Sequence, residues 1–478
     1  SYGLKRALVE VLAFFQVYRT YVDSNGIHQE DQFVIMKAVK KAKENNPGLV
    51  YELDFIADIL LLNFKNYLSE QEKINWKHYV RRFQQFTGPL MAKGFEDTVL
   101  YVYNRFLSLN EVGGSPDRVG VSLKEFHRFN QVRNKQTPHS MSATATHDTK
   151  RGEDIRTRMN VLSEIPYEWI KKVNAWQKSN YDKKTKVSGK MAPDNNDEFF
   201  LYQTLVGGFP FNIKEGNNFK QRLKDYIIKA VREAKVHTAW IQPDEEYENA
   251  YLKFIDAVLK SSRNNLFYKD FIELQNKVAH YGIFNSLSQV LIKMSSPGVP
   301  DFYQGCELWD FHFVDPDNRM PVNFRLRKKW LGEIIRKSGE DDLLLIKTLL
   351  KNKESGQIKL YLIWKILQLR NYQSQVFQHG QYIPLQTKGK FKDNIIAFAR
   401  KYKRSYIATI VPRFLTNVIS QKQNPIGKVW GDTVIVLPKS DQWRNILTNE
   451  LIDENVIHIT DVFRHFPGAV LANDYEER

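Results

Sequence analysis

His147 and Asp148 end a run of small and β-prone residues, Met141-Ser-Ala-Thr-Ala-Thr146, and a dense alternation of charges follows at once: Lys150, Arg151, Glu153, Asp154, Arg156 and Arg158. A strand that finishes on His-Asp and opens into a charged helix start has the form of a barrel rim, where the ends of parallel strands carry chemistry. A carboxylate there can orient sugar hydroxyls or meet a developing positive charge. It cannot break a glycosidic bond alone, because that chemistry needs a further acid and a base or nucleophile. Glu153 and Asp154, with the cations around them, read as an ion network at a helix start, with substrate contact as the alternative. His139 could face the same cleft or be structural.

Three further segments carry reactive side chains. In Phe86-Thr-Gly-Pro-Leu-Met-Ala-Lys-Gly-Phe-Glu-Asp-Thr98, Lys93, Glu96 and Asp97 sit behind two glycines. Lys93 there donates to sugar hydroxyls, or the segment is a helix N-terminus with acids near its positive end. In Pro297-Gly-Val-Pro-Asp-Phe-Tyr-Gln-Gly-Cys-Glu-Leu-Trp-Asp310, a strand flanked by Pro-Gly suits a second barrel edge, which makes Asp301, Gln304 and Glu307 candidates for lining the cleft. Val314-Asp-Pro-Asp-Asn-Arg-Met-Pro321 is a rigid loop near the site, or simply an Asp/Asn/Pro turn with self-capping side chains.

The elements that must position these groups follow from hydrophobic period. Residues 4–16 read as an amphipathic helix and 17–22 as a strand, with Asp23-Ser-Asn-Gly26 as a turn. The pattern from 30 to 135 is mostly helical, interrupted at 87–94 and again by a loop at 113–116. Residues 153–290 are again helical, broken by a polar stretch at 186–197. Helices are expected near 339–350 and 357–371, and strands at 394–399, 405–411 and 433–437. No internal repeat and no low-complexity segment is present.

Composition narrows the class. With 478 residues and 42% hydrophobic content the chain can bury one large core or two to three domains. Thirty Phe, 23 Tyr and 9 Trp suit a large core or a sugar-stacking cleft. The formal charge is +16, but the 70 cations are interleaved with 54 carboxylates along the whole chain. A solvated, lysine-rich surface is therefore expected, not a nucleic-acid partner. Cys306 is the only cysteine, so no disulfide forms within these residues and a Cys-based zinc site is excluded. The expected compartment is cytoplasmic, and no apolar run is long enough to predict a membrane span. The start, Ser1-Tyr-Gly-Leu-Lys5, lacks a signal-peptide pattern and reads as a cut edge.

Taken in order, the motifs resemble those of the maltooligosyltrehalose synthases, members of the α-amylase superfamily. The resemblance is carried by Val17–Tyr21, Gly88–Asp97, Ser108–Gly114, Ala145–Arg156, Asn160–Pro166, Ala192–Glu198, Asn285–Gln289, Pro297–Phe311 and Asp315–Arg319. It runs from about residue 5 to about 415. It implies an α/β fold: the later part of an amylase-type (β/α)8 barrel with large helical insertions, followed by a small C-terminal β domain. The expected divisions are 1–30, barrel helix and strand; 31–135, helical insertion; 136–160, barrel strand and site loop; 161–285, helical insertion; 286–375, last barrel strand and helices; and 376–478, the β domain.

The implied activity is an isomerase reaction on maltooligosaccharides derived from starch or glycogen. The reducing-end α-1,4 bond is broken and the glucose is rejoined as an α,α-1,1 trehalose terminus. Such enzymes use a nucleophile Asp, an acid/base Glu and a stabilising Asp. Asp148 matches the last of these and is expected to protrude into a sugar-holding hollow. The implied substrate contacts are His147, Lys93, Phe95, Asp97, Lys150, Arg151, Asp301, Gln304 and Glu307. Nothing here matches the motifs of the other two acids, so the chain resembles the C-terminal two-thirds of such an enzyme. Its expected partner is the missing N-terminal catalytic portion. No cofactor and no metal are expected. The alternatives are another glycoside hydrolase of the superfamily and a non-catalytic carbohydrate-binding fragment.

Overall fold

The computed structural model describes residues 2–23, 26–212, 216–440 and 442–475. By its contacts the chain divides into two units: Ser1–Val102 with Glu233–Lys235, and the remainder. The expected turn at 23–26 lies partly outside the described residues, although Asp23 and Gly26 pair in an isolated antiparallel bridge.

The first unit is helical. Helices Tyr2–Ala13, Gln29–Asn45, Val50–Leu60 and Glu70–Met91 enclose Ala7, Val11, Ile35, Ala42, Leu53, Ile56 and Val80. Phe15 meets Phe83 edge to face, ring centroids 5.3 Å apart. Two expectations are corrected here. Residues 17–22 form no strand, because side chains take the hydrogen bonds a neighbouring strand would supply. Gln84 accepts from the Val22 N–H at 2.6 Å and donates to its carbonyl at 3.0 Å, and Asp31 accepts from the Tyr21 N–H. Nor is the chain interrupted at 87–94. The Glu70–Met91 helix runs through Pro89 and continues as a wider π-helical segment, Ala92–Val99. Proline removes one intrahelical donor, and the widened turn beyond it absorbs the change.

The second unit combines helices with sheets. A capping box, Ser122 with Glu125, starts the Leu123–Gln136 helix. Met141–Ser142 then pairs in parallel with Val299–Pro300, Met141 opposite Val299. The strand expected to end on His147-Asp148 is thus only two residues long, and 143–152 continue as an irregular loop. Behind it lie Glu153–Asn160 and the 30-residue helix Leu266–Ser295. Gly282 lets these two helices touch, since a Cβ there would lie 2.5 Å from the Arg158 side chain. The helix expected near 339–350 is Asp342–Lys351; Asp341 separates it from the preceding helix Phe324–Glu340 and caps it by accepting from the Leu344 N–H.

The expected C-terminal strands form. A six-stranded antiparallel sheet runs Leu451–Ile452, Trp443–Asn445, Ala469–Ala472, Ser405–Pro412, Ile395–Tyr402 and Gln381–Pro384 in spatial order. Val456–His458, Val434–Val436 and Gln386–Lys388 form a second, three-stranded sheet. Among the described residues, no helix is long and apolar enough to cross a membrane.

Candidate active site

The loop after Met141–Ser142 is held from several sides, and Asp148 stands at its turn. Within the loop, Thr149 Oγ1 donates to the Thr146 carbonyl at 2.9 Å, and the Asp148 N–H donates to Thr146 Oγ1 at 3.2 Å. Before Asp148, Asn318 Nδ2 donates to the His147 carbonyl at 2.9 Å. After it, the buried Glu111 carboxylate accepts from the N–H of Lys150 at 2.6 Å and of Arg151 at 3.3 Å. The Gly152 N–H donates to the His312 carbonyl at 2.8 Å, and a Cβ at Gly152 would lie 2.5 Å from the Asp310 carbonyl oxygen. Only glycine lets the loop approach that closely.

The Asp148 side chain is 49% exposed, with Lys150 Nζ 3.8 Å from Oδ1, a loose ion contact. His147 is exposed. Asp148 lines neither of two cavities of this unit, about 560 and 830 Å³, whose walls include Thr144 and Glu111 respectively. It is half-exposed on the surface of this unit.

Two expected substrate contacts are corrected by burial. Lys150 and Arg151 are each 1% exposed. Arg151 Nη1 donates to the carbonyls of Leu107 and Asn110, and its guanidinium lies over the Phe200 ring. It braces the loop from beneath. Lys150 is buried with its Nζ 3.8 Å from Asp148 Oδ1.

The other candidates fall in different places. Asp301 is half-buried, and its N–H donates to the Ser142 carbonyl at 3.0 Å, extending the parallel pair. Gln304 is exposed. Glu307 pairs with Arg327 at 2.9 Å, which also holds the Gly305 carbonyl, so its carboxylate is committed within the chain. Lys93, Phe95 and Asp97 belong to the first unit. Lys93 pairs with Asp97 along the π-helical segment, and Phe95 lines an apolar groove of about 580 Å³ with Leu12, Phe15 and Leu90. His139 packs edge-on against His379.

The charges after the loop form an ion network, as expected, but with other partners. Lys359 Nζ bonds Glu153 at 2.5 Å and Asp154 at 2.8 Å, and Lys293 lies 3.5 Å from Glu153; all four are nearly or fully buried. Arg158 donates instead to the Gly207 and Phe209 carbonyls. Burial would raise the Glu153 carboxyl, but Lys359 and Lys293 outweigh it and hold it below its usual range. At Asp154 burial prevails and the carboxyl is raised. Nearby, burial is again opposed at Asp310, where the His312 ring, 2.8 Å away, holds the carboxyl down to about 2.

One cluster has atoms placed for a cation. Asp194, Asp197 and His237 converge within 4.8 Å, although His237 is distant in sequence. Each has a partner within the protein. His237 bonds Asp194 at 2.8 Å, Tyr247 donates to Asp197 at 2.5 Å, and Asp194 caps the Asn195–Gly208 helix. A helix N-terminus also disfavours a cation. The arrangement suits a structural cap.

The chain is a mixed helix-and-sheet protein with a separate C-terminal sheet and an acidic loop after a parallel strand pair, and comparison narrows its kinship. No family model matches the chain. A Mycobacterium tuberculosis protein named maltooligosyl trehalose synthase is 33% identical over 396 residues, 82% of this chain and 45% of the relative. The Arthrobacter ramosus maltooligosyltrehalose synthase superposes with a TM-score of 0.79 at 27% identity, covering 98% of this chain and 54% of that one. The corresponding Sulfolobus tokodaii structure superposes with a TM-score of 0.67 at 30% identity, covering 98% and 53%. The chain is similar to the maltooligosyltrehalose synthases over most of its length and spans about half the length of the relatives it matches, where the motifs suggested two-thirds.

Proposed function

We propose that this chain contributes the stabilising carboxylate, Asp148, to an enzyme that converts the reducing-end α-1,4 linkage of a maltooligosaccharide into an α,α-1,1 linkage. In this reading the nucleophile Asp and acid/base Glu come from the part of the relatives that these residues do not span. That part also supplies the remaining strands of a (β/α)8 barrel around the parallel pair and closes the hollow over Asp148. The acid protonates the oxygen of the terminal glycosidic bond as the nucleophile takes the sugar carbon, which releases glucose and leaves a covalent glycosyl intermediate. Asp148 orients ring hydroxyls and stabilises the cationic transition state. The glucose turns within the closed site and its anomeric hydroxyl attacks the intermediate, returning its proton to the acid/base Glu. Two inversions restore the α configuration, and exclusion of water suppresses hydrolysis.

The observation that carries this reading is Asp148 itself: half-exposed, next to the exposed His147, on a loop gripped before and after it. Lys93, Phe95 and Asp97 remain proposed substrate contacts, as do Asp301 and Gln304. The test is Asp148→Asn in the active enzyme that contains this chain, with maltopentaose as substrate. Loss of reducing ends measures the synthase reaction, and gain of reducing ends measures hydrolysis. The variant is expected to lose turnover by about 10²–10³-fold while still binding oligosaccharide. Full turnover would refute the role of Asp148.

A further inference from the structure

We propose that Glu111 and Asn318 are positioning residues that together set the direction of Asp148; this rests on the reading of Asp148 given above. Both lie in motifs, Ser108–Gly114 and Asp315–Arg319, whose part in the reaction the residue types alone do not reveal. The fold brings them to opposite ends of one short stretch of backbone. Asn318 holds the chain one residue before Asp148, through Nδ2 on the His147 carbonyl at 2.9 Å and, more weakly, the Thr146 carbonyl at 3.5 Å. Glu111 holds it two and three residues after, through the N–H groups of Lys150 and Arg151.

Each grip is itself anchored. Glu111 is 6% exposed, accepts from the Val112 N–H at 2.9 Å and lies 3.5 Å from Arg156 Nε. Asn318 is 7% exposed, and its Oδ1 is buried with no hydrogen-bond partner among the described residues. Its side chain therefore acts only as a donor to the loop. The turn that carries it is tied down by Arg222, which makes two hydrogen bonds of 2.7 Å to Asp317. Between these fixed points the backbone at 148 has little freedom, so a side chain with 49% exposure is aimed without being covered. A stabilising carboxylate needs this, because displacing a reacting or stabilising group by about 1 Å can cost on the order of 10²-fold in rate.

Two nearly isosteric changes release one grip each. Asn318→Asp replaces the donor with an acceptor facing the His147 carbonyl. Glu111→Gln turns one acceptor into a donor facing backbone N–H groups. In the active enzyme with maltopentaose, each is expected to lower kcat by about 10- to 10²-fold with KM changed less than about twofold. The decisive readout is a double-mutant cycle with Asp148→Asn, using the residual turnover of that variant. If the two residues act through Asp148, adding either change to Asp148→Asn costs less than about twofold more, because the group they aim is already gone. Effects that multiply, or unchanged kcat in both single variants beside an inactive Asp148→Asn, would overturn the proposal. Full turnover in Asp148→Asn would instead sink the reading it rests on. If Glu111→Gln shows no cooperative unfolding transition, the Asn318→Asp cycle alone decides.

Discussion

At the scale of single residues, burial separates charged groups that reach the surface from groups that hold the frame. Asp148 is half-exposed with one loose cation, whereas Lys150 and Arg151, two and three positions on, are buried. The sequence around His147-Asp148 marks the proposed site but cannot rank its charged neighbours. The difference arises from the carbonyls of Leu107 and Asn110, which receive Arg151 from a distant segment. Glu111 and Asn318 escaped notice as site residues for the same reason. Their partners are backbone atoms, which leave no signature in residue types, and only the motifs around them hinted at a role. Asp310 gives a pH prediction. The His312 contact lowers its carboxyl from 3.8 to about 2 in the folded chain, so the stabilisation is complete above about pH 4 and is lost as pH falls toward 2. Asp310→Asn is expected to cost roughly 2 kcal/mol at pH 7 in urea unfolding, and the gap to the parent is expected to narrow below about pH 4. A gap that stays constant down to pH 3 would show that the carboxylate's charge is not what stabilises.

At the scale of elements, the site loop depends on the helix behind it. Glu153 and Asp154 open the Glu153–Asn160 helix, and their buried partner Lys359 comes from Gln357–Tyr372, some two hundred positions away. Removing one member of a buried charge set leaves the others unpaired at a cost of about 3–5 kcal/mol. Lys359→Met is therefore expected to lower unfolding stability by about that amount, read from urea midpoints. A loss below about 1 kcal/mol would show that the network is dispensable. Helices were legible from their apolar period, and the long C-terminal strands from continuous β-branched and apolar runs that are buried as runs. The 17–22 segment misled because β-branched and aromatic residues also suit an extended chain whose hydrogen bonds go to Gln84 and Asp31.

At the scale of the whole molecule, the excess of cations falls almost wholly on the second unit, which holds 56 Lys and Arg among 41 carboxylates, whereas the first holds 14 among 13. A mixed surface of this kind supports weak, salt-screened attraction to phosphate backbones and no specific binding. Retention of duplex DNA in a gel shift is expected at low ionic strength only, vanishing by about 150 mM salt; retention beyond that would reopen the nucleic-acid reading. The linear chain by itself determined the helical segments, the C-terminal sheet and the kinship with the maltooligosyltrehalose synthases, since each is written in local period or in contiguous motifs. Only the tertiary structure decided that Asp148 is gripped by Glu111 and Asn318, that Lys150 and Arg151 are buried, and that Lys359 neutralises the helix start. Those outcomes depend on contacts between segments far apart along the chain, and no local pattern encodes which distant backbone or side chain a buried polar group will meet.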